Sequence, residues 1–178
     1  MHFYYKFAFD KKNKVYITLK KYQNMYDFLL ILHSWLRWVV LGLGIYTIYA
    51  NYTGWQNQSK YTAKDKQLNT IFMSSLHLQL VIGLVLYFGV SPMMQGIMAD
   101  FKGSMKVKEA RFWSVEHMAG MIVGIIVAQI GSIKSKKQTS DTSKFRTAFR
   151  YFLIALVIIL LMIPFGIWNV ERPLFRGF

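Results

Sequence analysis

The sequence predicts an all-α protein, an integral membrane up-down four-helix bundle. Three observations carry that expectation. Of 178 residues, 54% are hydrophobic and 17% aromatic, more apolar content than a water-soluble domain of this length usually carries. The apolar residues fall into four long blocks, each near the ~20 residues that cross a bilayer core. The charged residues lie almost wholly in the short segments between those blocks.

The four blocks are read as spans at about 27–49, 69–90, 112–133 and 149–168. Nothing between them is long enough for a second domain, so residues 25–178 form one four-span unit. Short connectors make antiparallel neighbours the default. Glycines recur inside the spans at Gly42, Gly44, Gly83, Gly89, Gly120, Gly124, Gly131 and Gly166, where small residues let helices or a flat ligand approach the backbone. Pro164, late in the fourth span, is expected to bend or end that helix.

Residues 1–24 differ in kind. Phe, Tyr, Lys, Asn and Ile dominate, and neither an apolar signal core nor a small-residue cleavage site is present. The segment reads as a basic tail on the membrane surface or as sequence ahead of a true start at Met25. Orientation depends on that choice. Let side A hold the N-terminus, the Ser91 to Arg111 connector and the C-terminus, and side B the other two connectors. Lys and Arg divide 12 to side A and 9 to side B over the whole chain, but 6 to 9 from Met25 onward. The later start places both termini outside by the positive-inside rule.

The formal charge of +14 would suggest nucleic acid for a soluble chain. Here the cations occupy connectors that meet anionic headgroups, so the expected partner is the lipid bilayer and no nucleic acid. With no cysteine, covalent haem through C-x-x-C-H, iron–sulfur clusters, thiolate zinc and disulfides are excluded. No P-loop, dinucleotide fingerprint or nucleophile–base pattern supports hydrolytic chemistry.

The first three spans each hold one histidine: His33, His77 and His117. An ionisable residue in hydrocarbon is costly and tends to face the interior with a purpose. At 1.5 Å per residue, His33 and His117 lie roughly 9 and 8 Å below side A, and His77 roughly 20 Å below it. A compact three-histidine metal site is therefore not expected. Two histidines at one level on the first and third helices suit bis-imidazole haem b, with His33 and His117 as axial ligands. His117, Gly120, Gly124, Ala128 and Gly131 share one helix face, a stripe with little side-chain bulk that predicts a slot for the macrocycle.

Arg37, one turn from His33, is expected at a haem propionate or a quinone, which its guanidinium suits; pairing with Glu116 and snorkelling beside Trp35 and Trp38 are the other readings. Glu116 lies about 100° round the helix from His117 and is expected to cap or to pair with Arg111 or Lys108. His77 shares a face with Thr70, Ser74 and Val81. It could serve as a proton relay, a quinone contact, a ligand in another pairing, or packing. Met93, Met94, Met98 and Met105 crowd the connector between spans two and three, and thioether clusters bind Cu(I).

At LHSWLRW, SLHLQLVIGLVLYF, RFWSVEHMAGMIVG and IGSIKSKK the chain resembles a family of small bacterial four-span membrane proteins labelled cytochrome b or cytochrome b-like. The resemblance runs from about Met25 to Phe178 and leaves residues 1–24 outside. It implies haem b, electron transfer in the bacterial inner membrane, and a redox partner or larger respiratory complex. Four-helix haem b subunits usually offer four histidines for two haems. This chain offers three and none on its fourth span, which argues against a second haem and leaves the ligand pair open. The expectation is thus a membrane b-type cytochrome-like protein passing electrons, with quinol as a candidate donor. The alternatives are a cofactor-free small subunit packed against a larger respiratory or transport complex, and a protein handling copper or another metal.

Overall fold

The computed structural model describes residues 2–165 together with Val170, Pro173 and Phe175, with side chains from Lys20 onward. It is all-helical. Helix α1 spans His2–Gln56 and α2 Ala63–Val85, which continues through a wider π-helical turn at Leu86–Val90. Three short helices follow, α3 (Pro92–Ala99), α4 (Phe101–Ser104) and α5 (Lys108–Arg111), then a second π-helical turn at Phe112–Glu116. Helices α6 (His117–Lys136) and α7 (Asp141–Leu161) complete the order. Among the described residues three stretches are long and apolar enough to cross a membrane: Lys20–Gln56, Ala63–Val90 and Lys108–Lys136.

Local chemistry sets the boundaries. The Thr62 backbone N–H donates to Asp65 Oδ2 at 2.8 Å, closing the start of α2. Ser91 caps α3 by accepting from Met94 N, with Pro92 as its first residue. Ser140 Oγ accepts from Ser143 N at 3.2 Å and starts α7. The first helix runs unbroken from His2 past Met25. Helix α7 ends at Leu161, ahead of Pro164, which supplies no N–H and restricts the residue before it. Residues 166–168 of the fourth block lie outside the described residues.

Consecutive long helices run antiparallel. Gln79 of α2 meets His33 of α1, while Asn69 meets Asn51 at the other end. Gly124 of α6 faces Ala155 and Ile159 of α7, while Gly131 faces Tyr151. Helix α1 contacts α2 and α7, and α6 contacts the same two, so α1 and α6 lie across the core from each other.

The core draws on all four: Val40, Leu41 and Ile48; Phe72, Met73 and Leu76; Ile125 and Ala128; Phe152, Ala155, Leu156 and Ile159. Phe72 and Phe152 are fully buried and meet edge to face at 5.2 Å. Gly44 makes this possible, since a Cβ there would sit 3.0 Å from Phe72 Cε2. At the side-B end a buried polar ladder links α1 to α2: Asn51 Nδ2 donates to Thr47 O and to Asn69 Oδ1, each at 2.7 Å, and Asn69 Nδ2 donates to Tyr61 OH at 3.1 Å. Such bonds pin helix register where apolar packing alone tolerates slippage.

Truncating Phe152 to Ala removes a ring with no exposed surface and is expected to cost about 3–5 kcal/mol. Unfolding of the detergent-solubilised protein, followed by circular dichroism against the wild type, measures it.

Candidate functional site

Towards side A the core opens into a cavity of about 190 Å³. Its wall follows α1 from Tyr26 to Leu41, about 22 Å at 1.5 Å per residue, so it is long and narrow. His33, Ser34 and Arg37 enter from α1, Gln79 and Gly83 from α2, and His117, Met118 and Met121 from α6. The rest is largely apolar, with Met93 and Met94 of α3 and Pro164 and Pro173 beyond α7.

The two π-helical turns lie side by side here. Tyr87 of the first donates its hydroxyl to Ser114 O of the second at 2.8 Å, and Tyr87 and Trp113 both line the cavity. A wide turn shifts the side chains after it around the helix, and such turns recur at functional sites.

His117 is held on three sides. Its ring lies 5.9 Å from Phe112 and 5.2 Å from Trp113, and Nδ1 is 2.8 Å from Met162 O. A carbonyl only accepts, so Nδ1 carries the hydrogen; in the neutral ring Nε2 then carries the lone pair. His33 faces α2. A Cβ at Gly83 would lie 3.2 Å from its Cε1, so the missing side chain is what lets the imidazole rest on that helix. Gln79 Nε2 donates to the His33 backbone carbonyl at 3.0 Å. His33 Nδ1 and Gln79 Oε1 are both buried with no hydrogen-bond partner.

Arg37 reaches Ser34 Oγ through Nη2 at 3.4 Å, and its guanidinium carbon sits 5.3 Å from the Trp38 ring centre. Trp38 in turn stacks on Phe175 at 5.2 Å and 9°, so that ring lies over this end of α1. Glu116 pairs with Arg111 at 2.8 Å, as its position on the helix predicts.

The sequence-predicted residues separate into two groups. His33, Arg37 and His117 converge on one cavity. Gly120, Gly124 and His77 do not line it. The glycine stripe is filled by α7: a Cβ at Gly120 would collide with Met162 Cγ and Sδ, one at Gly124 would meet Ile159 Cγ1 at 2.9 Å, and one at Gly131 would strike Tyr151. The small residues therefore serve helix packing, not a macrocycle slot. His77 stands on the outer face of α2 with Thr70, Ser74 and Val81, all exposed. The residues not anticipated are Gln79 and Gly83, whose i, i+4 spacing puts them on the face of α2 that meets His33. A glutamine within an apolar run was the available signal.

Among the described residues no group of three or more His, Cys, Asp or Glu could hold a metal ion. The ligating capacity of the cavity is two imidazoles and the thioethers of Met93, Met94, Met118 and Met121. No protein-family model, curated protein or solved structure matches the chain.

Replacing Gly120 by Ala is expected to displace Met162 and break the bond that fixes the His117 tautomer. The ¹⁵N spectrum of histidine-labelled protein should then lose the single Nδ1–H state of His117; an unchanged resonance would show that another group orients the ring.

Proposed function

We propose that this chain is a membrane b-type cytochrome-like protein, an up-down four-helix bundle that moves electrons through haem b held between His33 and His117. The observation that carries the reading is the convergence of two histidines, from helices on opposite sides of the core, on one apolar cavity that also receives a guanidinium. The donor set fits the group. Metal-binding histidines characteristically donate the other ring N–H to a carbonyl, and His117 does so to Met162 O, leaving Nε2 for a metal. Arg37 is placed for a propionate.

The length of the cavity suits a planar ring system. Its volume, about 190 Å³, lies below the ~300–1,000 Å³ of ordinary ligand sites. A macrocycle therefore enters by displacing the unbranched side chains of Met93, Met94, Met118 and Met121, which re-pack readily. Bound there, haem would supply one-electron chemistry. The chain's own part is to orient two imidazoles, offset the propionate charge and exclude water. A quinol is the fitting electron donor for a site reached through lipid.

The membrane is the bacterial inner membrane, with the termini outside. Counted from Met25, the basic side-B end supports that orientation: Lys60, Lys64, Lys66, Lys134, Lys136 and Lys137 are all exposed there. Single cysteines test it in this cysteine-free chain. Ser59→Cys and Thr139→Cys should react with a membrane-impermeant maleimide only after the cells are opened, and Val107→Cys before; the reverse pattern overturns the orientation.

A second reading, a small subunit of a larger respiratory or transport complex, is favoured by the exposed Ser74 and His77 on α2. Polar side chains facing lipid are costly, and a partner helix would satisfy them. It requires no cofactor.

Purification decides between the readings. The cytochrome reading expects a red protein with a b-type reduced-minus-oxidised band that His33→Ala and His117→Ala abolish and His77→Ala retains. A colourless, fully helical protein refutes it in favour of the subunit, and stoichiometric copper without haem assigns the cavity to metal handling by its thioethers.

A further inference from the structure

Two buried polar atoms in the cavity have no partner, and they are complementary. His33 Nδ1 can carry a hydrogen, and Gln79 Oε1 can only accept one. The orientation of the Gln79 amide is set, because its nitrogen donates to the His33 carbonyl and a carbonyl cannot donate in return. Oε1 is thus the end of the amide left over, on the residue already bonded to His33. Gly83, one turn further along the same face of α2, brings the imidazole against that helix: Nδ1 lies 3.8 Å from where a Gly83 Cβ would stand.

We infer that Gln79 is the positioning residue for His33, its Oε1 accepting the Nδ1 hydrogen when Nε2 of the ring takes a metal. The inference rests on the cytochrome reading above. It makes the two halves of the site equivalent in kind. His117 Nδ1 already donates to Met162 O, and His33 Nδ1 would donate to Gln79 Oε1, so each ring would present Nε2 to the space between α1 and α6. The arrangement follows the general behaviour of ligating histidines, whose second nitrogen is held by an oxygen acceptor that fixes the tautomer and raises ligand basicity. Without a metal neither atom is forced into the bond. Electron withdrawal from the ring on ligation strengthens the N–H as a donor and favours it.

The consequence is measurable apart from activity. Removing the acceptor leaves a less basic ligand, which stabilises the oxidised form less. Gln79→Leu should therefore raise the midpoint potential of the bound haem and weaken its retention ten- to hundredfold, the usual effect of losing such an acceptor. Gln79→Glu, which keeps an acceptor oxygen, should hold the potential at or below that of the wild type. Both variants are to be compared at equal helix content and equal elution volume in detergent.

A red wild type whose Gln79→Leu variant keeps the same potential and retention overturns the inference and leaves the cytochrome reading standing. So does a Gln79→Glu variant shifted upward as far as Gln79→Leu, which would mark a packing effect. A colourless wild type overturns both.

Discussion

The close approach of α6 and α7 is the constraint on which the rest of the molecule depends. Gly120, Gly124, Ala128 and Gly131 leave that face of α6 without bulk, and Met162, Ile159 and Tyr151 fill it. Helices that meet through glycine come near enough for backbone groups of one to reach side chains of the other. Met162 O consequently lies at His117 Nδ1, and the imidazole is anchored by the chain terminus of α7 before any ligand is considered. With α6 locked to α7, the opposite wall of the cavity must come from α1 and α2.

The two ends of the core treat polarity differently. Towards side B, Asn51, Asn69 and Tyr61 bond to one another and to Thr47 O, and Ser135 Oγ donates to Lys144 O. Towards side A, His33 Nδ1 and Gln79 Oε1 remain without partners. An unmade buried hydrogen bond costs about 1–3 kcal/mol, so folds retain one where something other than stability is served. The same region holds both π-helical turns, which depart from the regular ladder where Tyr87 and Trp113 enter the cavity. Towards side B most buried polar groups bond to one another, the Thr47 hydroxyl excepted, whereas around the cavity two complementary atoms stay unbonded.

The histidine pair was legible in the sequence because depth in a helix is arithmetic. Similar distances from one end of two helices running the same way put His33 and His117 near one expected level, and both line the one cavity. Arg37 followed from i, i+4 spacing, and Glu116 with Arg111 from local reach. The glycine stripe was legible as a stripe but not in its purpose, because a helical wheel states which residues share a face and not what lies opposite. The direction His77 faces was hidden for a related reason. Its depth was computable, but whether Thr70, Ser74 and His77 turn inward depends on the rotation of α2, which the packing of Phe72, Met73 and Leu76 settles. Gln79, two residues on, is carried to the inner side by the same rotation.

The sequence by itself determined the all-helical class and the apolar middles of the long helices. These depend on composition and its distribution along the chain, which are local quantities. Only the tertiary structure decided that α7 occupies the glycine face and that Gln79 and Gly83 attend His33. Those outcomes turn on helix rotation and neighbour choice. Both are set by contacts between residues some 45 positions apart, such as His33 with Gln79 and His117 with Met162, and no local pattern encodes them.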